Sequence, residues 1–476
     1  MEGSRSIAQH PVEASHVLSA LRRHRPGVRR VDDLKTLSGG ASQEIWSLRA
    51  EGEEGALDLV LRRARPWSDS GQAGSAGMAA EAALLSAAAT GGVPVPEVVG
   101  VLHADDGLGE GYFMTRVPGE SSARAILRDA AYAPVRPRLA ADCGALMARI
   151  HALPAATLPP LREGRARVER ERWQAAHRAN GVARPVFEYA LRWLARHEPA
   201  DAGEPPSVLV HGDFRNGNLL VDPTGVRAVL DWELAHRGDP MEDLGWFCVN
   251  AWRFGEVDRP AGGLGSREQL FAGYEAAGGC AVDPARVRWW QVLGTLKWGV
   301  TCDAMGLAWR SGADRSIERL AVARRVGETE MDLLALVAPQ GRARSAETAP
   351  DAADADGGNS VPPASDAEIL QALDALLREQ AHAPEADISL RIGVSLIQML
   401  QRERLSGPAL AREEGESLQG LLGSAATEQL GVLREQLCER IAGRNPALDD
   451  EQLVAHLWRV TRARLAIDQP RYRWAA

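Results

Sequence analysis

Apolar and polar positions alternate with a period of two through much of the first hundred residues. "LKTLSGGASQEIWSLRA" and "ALDLVLRRA", on either side of the turn "EGEEG", predict strands, as do "VPVPEVVGVLH" and "GYFMTRVPGE". Between them, "MAAEAALLSAAAT" is a run of good helix formers, and "RPWSDSGQAGSAG" has the composition of a loop. From about Ser121 the period becomes helical, most clearly in "RLAADCGALMARIHAL". Strands return only at "SVLVHGD", "NLLVD" and "VRAVLDW", after which a helical, tryptophan-rich block runs to about Val337. Residues 339–363 are rich in Ala, Asp, Gly, Pro and Ser and predict a flexible linker. Beyond it, Ile388, Ile392, Leu396 and Met399 share one helix face, and Leu453, Leu457 and Val460 share another. Residues 364–476 therefore read as a small helical bundle.

Length and composition narrow the function classes. A chain of 476 residues, 45% hydrophobic and 25% charged, is too long for one ordinary core and has a soluble globular make-up. No stretch approaches eighteen uncharged apolar residues, and the first residues carry no apolar signal core, so no membrane partner is expected. Five scattered cysteines without CxxC spacing argue against a disulfide framework or a zinc site and suit a reducing cytoplasm. A formal charge of −9 argues against general nucleic-acid binding. No GxxxxGK[ST], HExxH or GxSxG motif is present.

The chemistry concentrates in "HGDFRNGNLLVDPTGVRAVLDWE", residues 211–233. Asp213 sits just past a strand end, Asn218 follows five residues later, and Asp231 ends the second strand of a hairpin. Such an arrangement can bring all three to one cleft. A carboxylate and an amide oxygen suit a hard cation such as Mg²⁺, and a second carboxylate can orient a hydroxyl and accept its proton. That set serves phosphoryl transfer, where positioning and charge neutralisation dominate.

The ordered motifs HGD-x4-N in "HGDFRNGN", then "VLDWE" and "GDPMEDL", resemble the catalytic core of the aminoglycoside phosphotransferase and choline kinase superfamily. The resemblance spans about residues 30–338 and implies an α+β, two-lobe protein-kinase-like fold followed by a separate all-α helical bundle. A helical lead-in (1–29), a nucleotide-binding lobe (30–117) and a catalytic and acceptor lobe (118–338) would precede the linker and bundle. ATP and Mg²⁺ are the implied cofactors. Asp213 is then the catalytic base, with Asn218 and Asp231 as metal ligands. His211 supports the loop, and Asp239 and Asp243 brace it through hydrogen bonds. Capping of the helix at "MEDLGWF" is an equal reading for Asp239 and Asp243.

In the first lobe, "LSGGASQEIW" resembles the family's nucleotide loop, with Ser42 able to hydrogen-bond a phosphate. Val60 would lie under the adenine. Arg62 stands where the kinase lysine is expected, a departure that keeps the charge but alters the geometry. Glu81 is the matching helix glutamate, and the backbone of Thr115 and Val117 would meet the adenine edge.

The acceptor side is sought in "RWWQVLGTLKWGVTCDAMGLAWRSG", whose tryptophans read as core or as an apolar cleft. With "ARRVGETEMDLLAL", this block resembles the subgroup associated with acyl-CoA dehydrogenases. That implies a small-molecule hydroxyl acceptor of the hydroxyacyl-CoA or hydroxy acid type, and an acyl-CoA-metabolism protein as partner. "LRIGVSLIQMLQRE" resembles a bacterial domain of unknown function. Two alternatives stand beside the kinase: a nucleotide-binding scaffold without turnover, and an aminoglycoside-resistance kinase.

Overall fold

The computed structural model describes residues 12–37, 43–53, 55–64, 76–199, 207–344, 368–369, 372–373, 376, 386–423, 429–443 and 449–473. Contacts divide the chain into two compact units, residues 1–166 with 200–291 and residues 167–199 with 292–476. Among the described residues no helix is long and apolar enough to cross a membrane.

The first unit starts with an antiparallel sheet of order β1-β2-β3-β5-β4, comprising β1 (Val28–Thr36), β2 (Gln43–Gly52), β3 (Gly55–Ala64), β4 (Val98–Val101) and β5 (Gly111–Thr115). β3 is central, and Leu59 through Arg63 are all buried, so period-two alternation is lost there. Leu59 and Leu61 pack with Val17, Ala20 and Leu21 of the helix Ala14–Arg22 and with Phe113 of β5. Each such side chain contributes about 1.5–3 kcal/mol by leaving water. Val60 and Arg62 point the other way. On that side the helix Met78–Thr90 buries Met78, Ala82, Leu84, Leu85 and Ala88, together with one carboxylate, Glu81.

Further along come β6 (Glu163–Gly164), β7 (Val208–Val210), the hairpin β8 (Leu219–Asp222) and β9 (Gly225–Val229), and β10 (His236–Gly238). β6, β10 and β7 form a second small sheet. The helices Leu139–His151 and Arg267–Ala276 approach closely through two glycines. A Cβ on Gly144 would lie 2.1 Å from the Leu270 carbonyl oxygen, and one on Gly273 would lie 2.2 Å from that of Ala141. This contact brings His151 beside Tyr274 (2.9 Å between Nδ1 and the hydroxyl).

The second unit is helical. Its C-terminal helices Ala386–Leu422, Leu430–Ala442 and Asp450–Asp468 pack on one another and also share a core with earlier helices. Leu396 and Met399 pack with Trp309, Ile317 and Leu320. Trp458 donates through Nε1 to the Ala338 carbonyl at 2.8 Å, and buried Arg324 pairs with Asp468 and with Glu403. This compact unit therefore takes in residues 167–199 and 292–476, and the expected bundle of residues 364–476 lies within it. Of the expected linker, Gly341–Arg344 is a short helix, and residues 345–363 lie outside the described residues.

Candidate functional site

The loop between β7 and β8 carries Asp213. Gly212 turns the chain with φ 75°, and a Cβ there would lie 2.5 Å from the Leu234 carbonyl oxygen, so glycine is required on two counts. Both oxygens of the fully buried Asp243 accept backbone N–H groups of this loop, from His211 and Gly212, each at 2.9 Å. His151 Nε2 donates to the same carboxylate at 3.1 Å. Burial alone would raise the Asp243 pKa, but the hydrogen bonds it accepts, first of all from His151, hold it below the usual carboxylate range. His211 is shifted down by burial and is neutral. Its Nδ1 accepts the Asp213 N–H at 3.2 Å, which leaves Nε2–H to donate to the Leu230 carbonyl at 3.1 Å.

Asp239 departs from its expected bracing role. It touches no part of the loop: it accepts the Met241 N–H at 2.9 Å and the Trp290 indole N–H at 2.8 Å, and it pairs with Arg286. It thus ties the start of the helix Met241–Phe247 to the first turns of the helix Pro284–Ser311, in line with the capping alternative.

The Asp213 carboxylate accepts from three side chains. Asn218 Nδ2 lies 2.7 Å from Oδ2, Trp246 Nε1 lies 2.9 Å from Oδ1, and Arg215 Nε lies 3.2 Å from both. Asn218 Nδ2 also reaches the Asp213 carbonyl oxygen at 3.0 Å, so the amide nitrogen is committed and Oδ1 is the atom left for a cation. The Asn218 carbonyl accepts the Leu230 N–H at 2.8 Å, which sets Asn218 beside the approach to Asp231. Asp231 itself is left-handed (φ 66°), a conformation that aspartate tolerates better than bulkier residues. The next residue, Trp232, is anchored against His211, with ring centres 4.7 Å apart.

Arg62 joins this centre from β3. Its Nη2 lies 2.9 Å from Glu81, 2.5 Å from Asp231 and 3.9 Å from Glu233. Glu233 also accepts Gln43 Nε2 at 2.9 Å. Three carboxylates thus surround one guanidinium. Burial, only partly offset by Arg62 and reinforced by Asp231 and Glu233, pushes the Glu81 pKa up to about 7. For Asp231 burial also acts upward, but Arg62 outweighs it and the net shift is down. Val60 lies on the same face of β3, two residues away. The Thr115 N–H is bonded to the Glu97 carbonyl oxygen at 2.9 Å, so of the Thr115 backbone groups it is the carbonyl oxygen, not the N–H, that could meet an adenine edge; Val117 lies past the strand end. Ser42 lies outside the described residues.

Trp289, Trp290 and Trp309 are buried, the core alternative. The aromatic groups beside Asp213 are Trp246 and Trp252, with ring centres 5.1 Å apart, and the Arg215 guanidinium stacks 4.7 Å from the Trp252 ring centre. Sequence reasoning missed Arg215, Trp246, Trp252 and Glu233. The signal was present for two of them: Arg215 lies inside HGD-x4-N, and Trp246 follows Asp243 by three positions on one helix.

The donor set fits a small hard cation. One amide oxygen and one carboxylate are what Mg²⁺ takes from a protein when water and phosphate complete its shell. Among the described residues no cluster of three or more His, Cys, Asp or Glu side chains could hold a metal unaided.

Comparison with known proteins agrees with this layout. A protein from Ralstonia eutropha JMP134 whose solved structure is named for aminoglycoside phosphotransferase aligns with a TM-score of 0.54 at 19% identity, over 68% of this chain and 97% of its own, a likeness of fold. Mouse acyl-CoA dehydrogenase family member 10 is 31% identical over 184 residues, covering 35% of this chain. Chicken acyl-CoA dehydrogenase family member 11 is 44% identical over 64 residues, or 13% of this chain. The chain spans only 16% and 8% of the length of these two curated relatives. Residues 380–472 match a domain of unknown function, DUF6285. The phosphotransferase enzyme family model matches residues 33–290, more than half of the sequence, and the chain belongs to that family, with its kinase-like α+β fold.

Proposed function

We propose that the chain transfers the γ-phosphate of ATP, with Mg²⁺, to a hydroxyl of a small hydroxy acid or hydroxyacyl-CoA. The observation that carries this reading is the coupling of Asp213 to the amide nitrogen of Asn218, which leaves the amide oxygen for a cation on a residue whose main chain is bonded to Leu230, next to Asp231. Bound there, the metal ion would neutralise charge on the transferring phosphates. Asn218 Oδ1 and the Asp231 carboxylate would hold it. Asp213 orients the acceptor hydroxyl and takes its proton as the acceptor oxygen bonds to the γ-phosphorus; the bond from that phosphorus to the bridging oxygen breaks and ADP leaves. Arg62, secured by Glu81, presents a permanent positive charge to the phosphates. The two relatives named for acyl-CoA dehydrogenases support an acceptor from acyl metabolism.

A scaffold that binds nucleotide without turnover is favoured by one observation: Arg62 already occupies Asp231. An aminoglycoside, with several amines, would want an acidic pocket, whereas Asp213 is flanked by Arg215 and two tryptophans. The deciding experiment supplies γ-labelled ATP and Mg²⁺ with hydroxyacyl-CoAs, free hydroxy acids, choline, homoserine and aminoglycosides, beside Asp213→Ala. Label moving to a hydroxy acid or hydroxyacyl-CoA only with the wild type supports the kinase. Nucleotide binding that depends on Mg²⁺, with no transfer to any acceptor, moves the conclusion to the scaffold.

A further inference from the structure

We propose that Arg215 is a positioning residue that selects a hydroxyl acceptor bearing a carboxylate, an inference that rests on the reading above and narrows it. An ionised carboxylate offers about four lone-pair sites. Those of Asp213 are taken: Trp246 and Arg215 meet Oδ1, and Asn218 and Arg215 meet Oδ2. An incoming hydroxyl therefore needs one donor to give way. Trp246 and Asn218 are buried and hold contacts of 2.9 and 2.7 Å. Arg215 is the weak member, sharing a single Nε–H between two oxygens at 3.2 Å, with its side chain 24% exposed.

Two features keep the guanidinium available for a second partner. Its flat face rests on Trp252, a stacking surface along which it can turn without losing contact. Gly217 leaves it room: with φ 110°, a Cβ there would lie 2.8 Å from Arg215 Nη1. The planar fork of an arginine matches a carboxylate with two parallel hydrogen bonds. The acceptor carboxylate thus draws Arg215 from Asp213 onto itself, and its hydroxyl enters the lone pairs that are vacated. Asp213 is unmasked only when an acceptor with the matching anion is in place.

The test compares 3-hydroxyhexanoate with hexane-1,3-diol, which lacks the carboxylate, and with the CoA thioester of the same acid. Wild type, Arg215→Gln and Arg215→Lys are assayed for phosphate transfer, and for acceptor binding by calorimetry with ADP and Mg²⁺ present. The wild type should prefer the free acid. Arg215→Gln should raise the KM for the acid on the order of tenfold to a hundredfold, the worth of a charged hydrogen bond. Its preference for acid over diol should collapse towards one, and Arg215→Lys should restore part of it. An equal loss on acid and diol overturns the proposal and assigns Arg215 to the γ-phosphate. A wild-type preference for the thioester overturns it as well. If no acceptor is phosphorylated, the reaction assignment fails separately; Arg215-dependent binding of the acid over the diol still upholds the proposal, and binding indifferent to Arg215→Gln overturns it.

Discussion

Arg62→Ala isolates what holds the nucleotide face of β3 together. The guanidinium is nearly inaccessible and faces Glu81, which is fully buried, and Asp231, which is partly so. Removing one partner of a buried ion pair leaves an uncompensated charge and costs about 3–5 kcal/mol. Hydrogen exchange at the amides of β3 and β5 reads that loss locally, without requiring the two compact units to unfold together. Exchange there should accelerate on the order of a hundredfold to several thousandfold, since each 1.4 kcal/mol is about tenfold. The loss should also depend on pH, with a definite sign. The folded pKa of Glu81 is raised to about 7 from an ordinary value of 4.5. Its stabilising contribution is therefore complete below 4.5 and is lost as pH rises through 7. Without Arg62, burial acts on Glu81 unopposed, so the variant should be most damaged at pH 8 and partly relieved at pH 5.5, where Glu81 takes a proton. A loss below about 1 kcal/mol, equal at both pH values, would refute the account of Arg62 as the counter-charge of this centre.

Asp243→Asn leaves one carbonyl oxygen for two buried backbone N–H groups and should cost about 1–3 kcal/mol by denaturant titration at pH 7. The Asp243 pKa is depressed, so its contribution is present above the ordinary value and lost as pH falls through the folded one; the variant should show a shallower acid limb. Gly212→Ala forces a side chain into a left-handed turn and onto the Leu234 carbonyl, so it should destabilise by about 1–3 kcal/mol and slow turnover by displacing Asp213. Calorimetry should place Trp458→Ala about 3–5 kcal/mol below the wild type, from the lost core volume and the lost bond to Ala338.

The order of motifs in residues 211–243 was enough to place Asp213, Asn218, Asp231 and Asp243 around one centre, because backbone turns and strand ends fix those positions locally. The Arg62–Glu81 contact was also legible, from the resemblance that matches these two residues to a kinase lysine and its helix glutamate. What stayed hidden depends on distant packing. Asp239 and Asp243 lie four residues apart in one acidic stretch, yet one meets the loop and the other meets Trp290, a partner 51 residues away. The tryptophans past Arg288 read as core or cleft in one dimension, and three of them are buried, as core residues are; the aromatic surface at Asp213 comes from Trp246 and Trp252, which periodicity did not single out. The commitment of the Thr115 N–H was hidden as well, because its partner Glu97 lies outside the strand pairing that periodicity reveals.

The grip between the C-terminal helices and the segment before them has a consequence for how the coding sequence can be arranged. Trp458 on the Ala338 carbonyl, Tyr472 on Asp332 and Arg324 on Asp468 all join groups from either side of residues 345–367. None of these contacts needs the peptide that connects them. Cutting the reading frame there and translating the pieces from two cistrons would yield polypeptides that find each other again, so the boundary between genes and the boundary between folding units need not coincide.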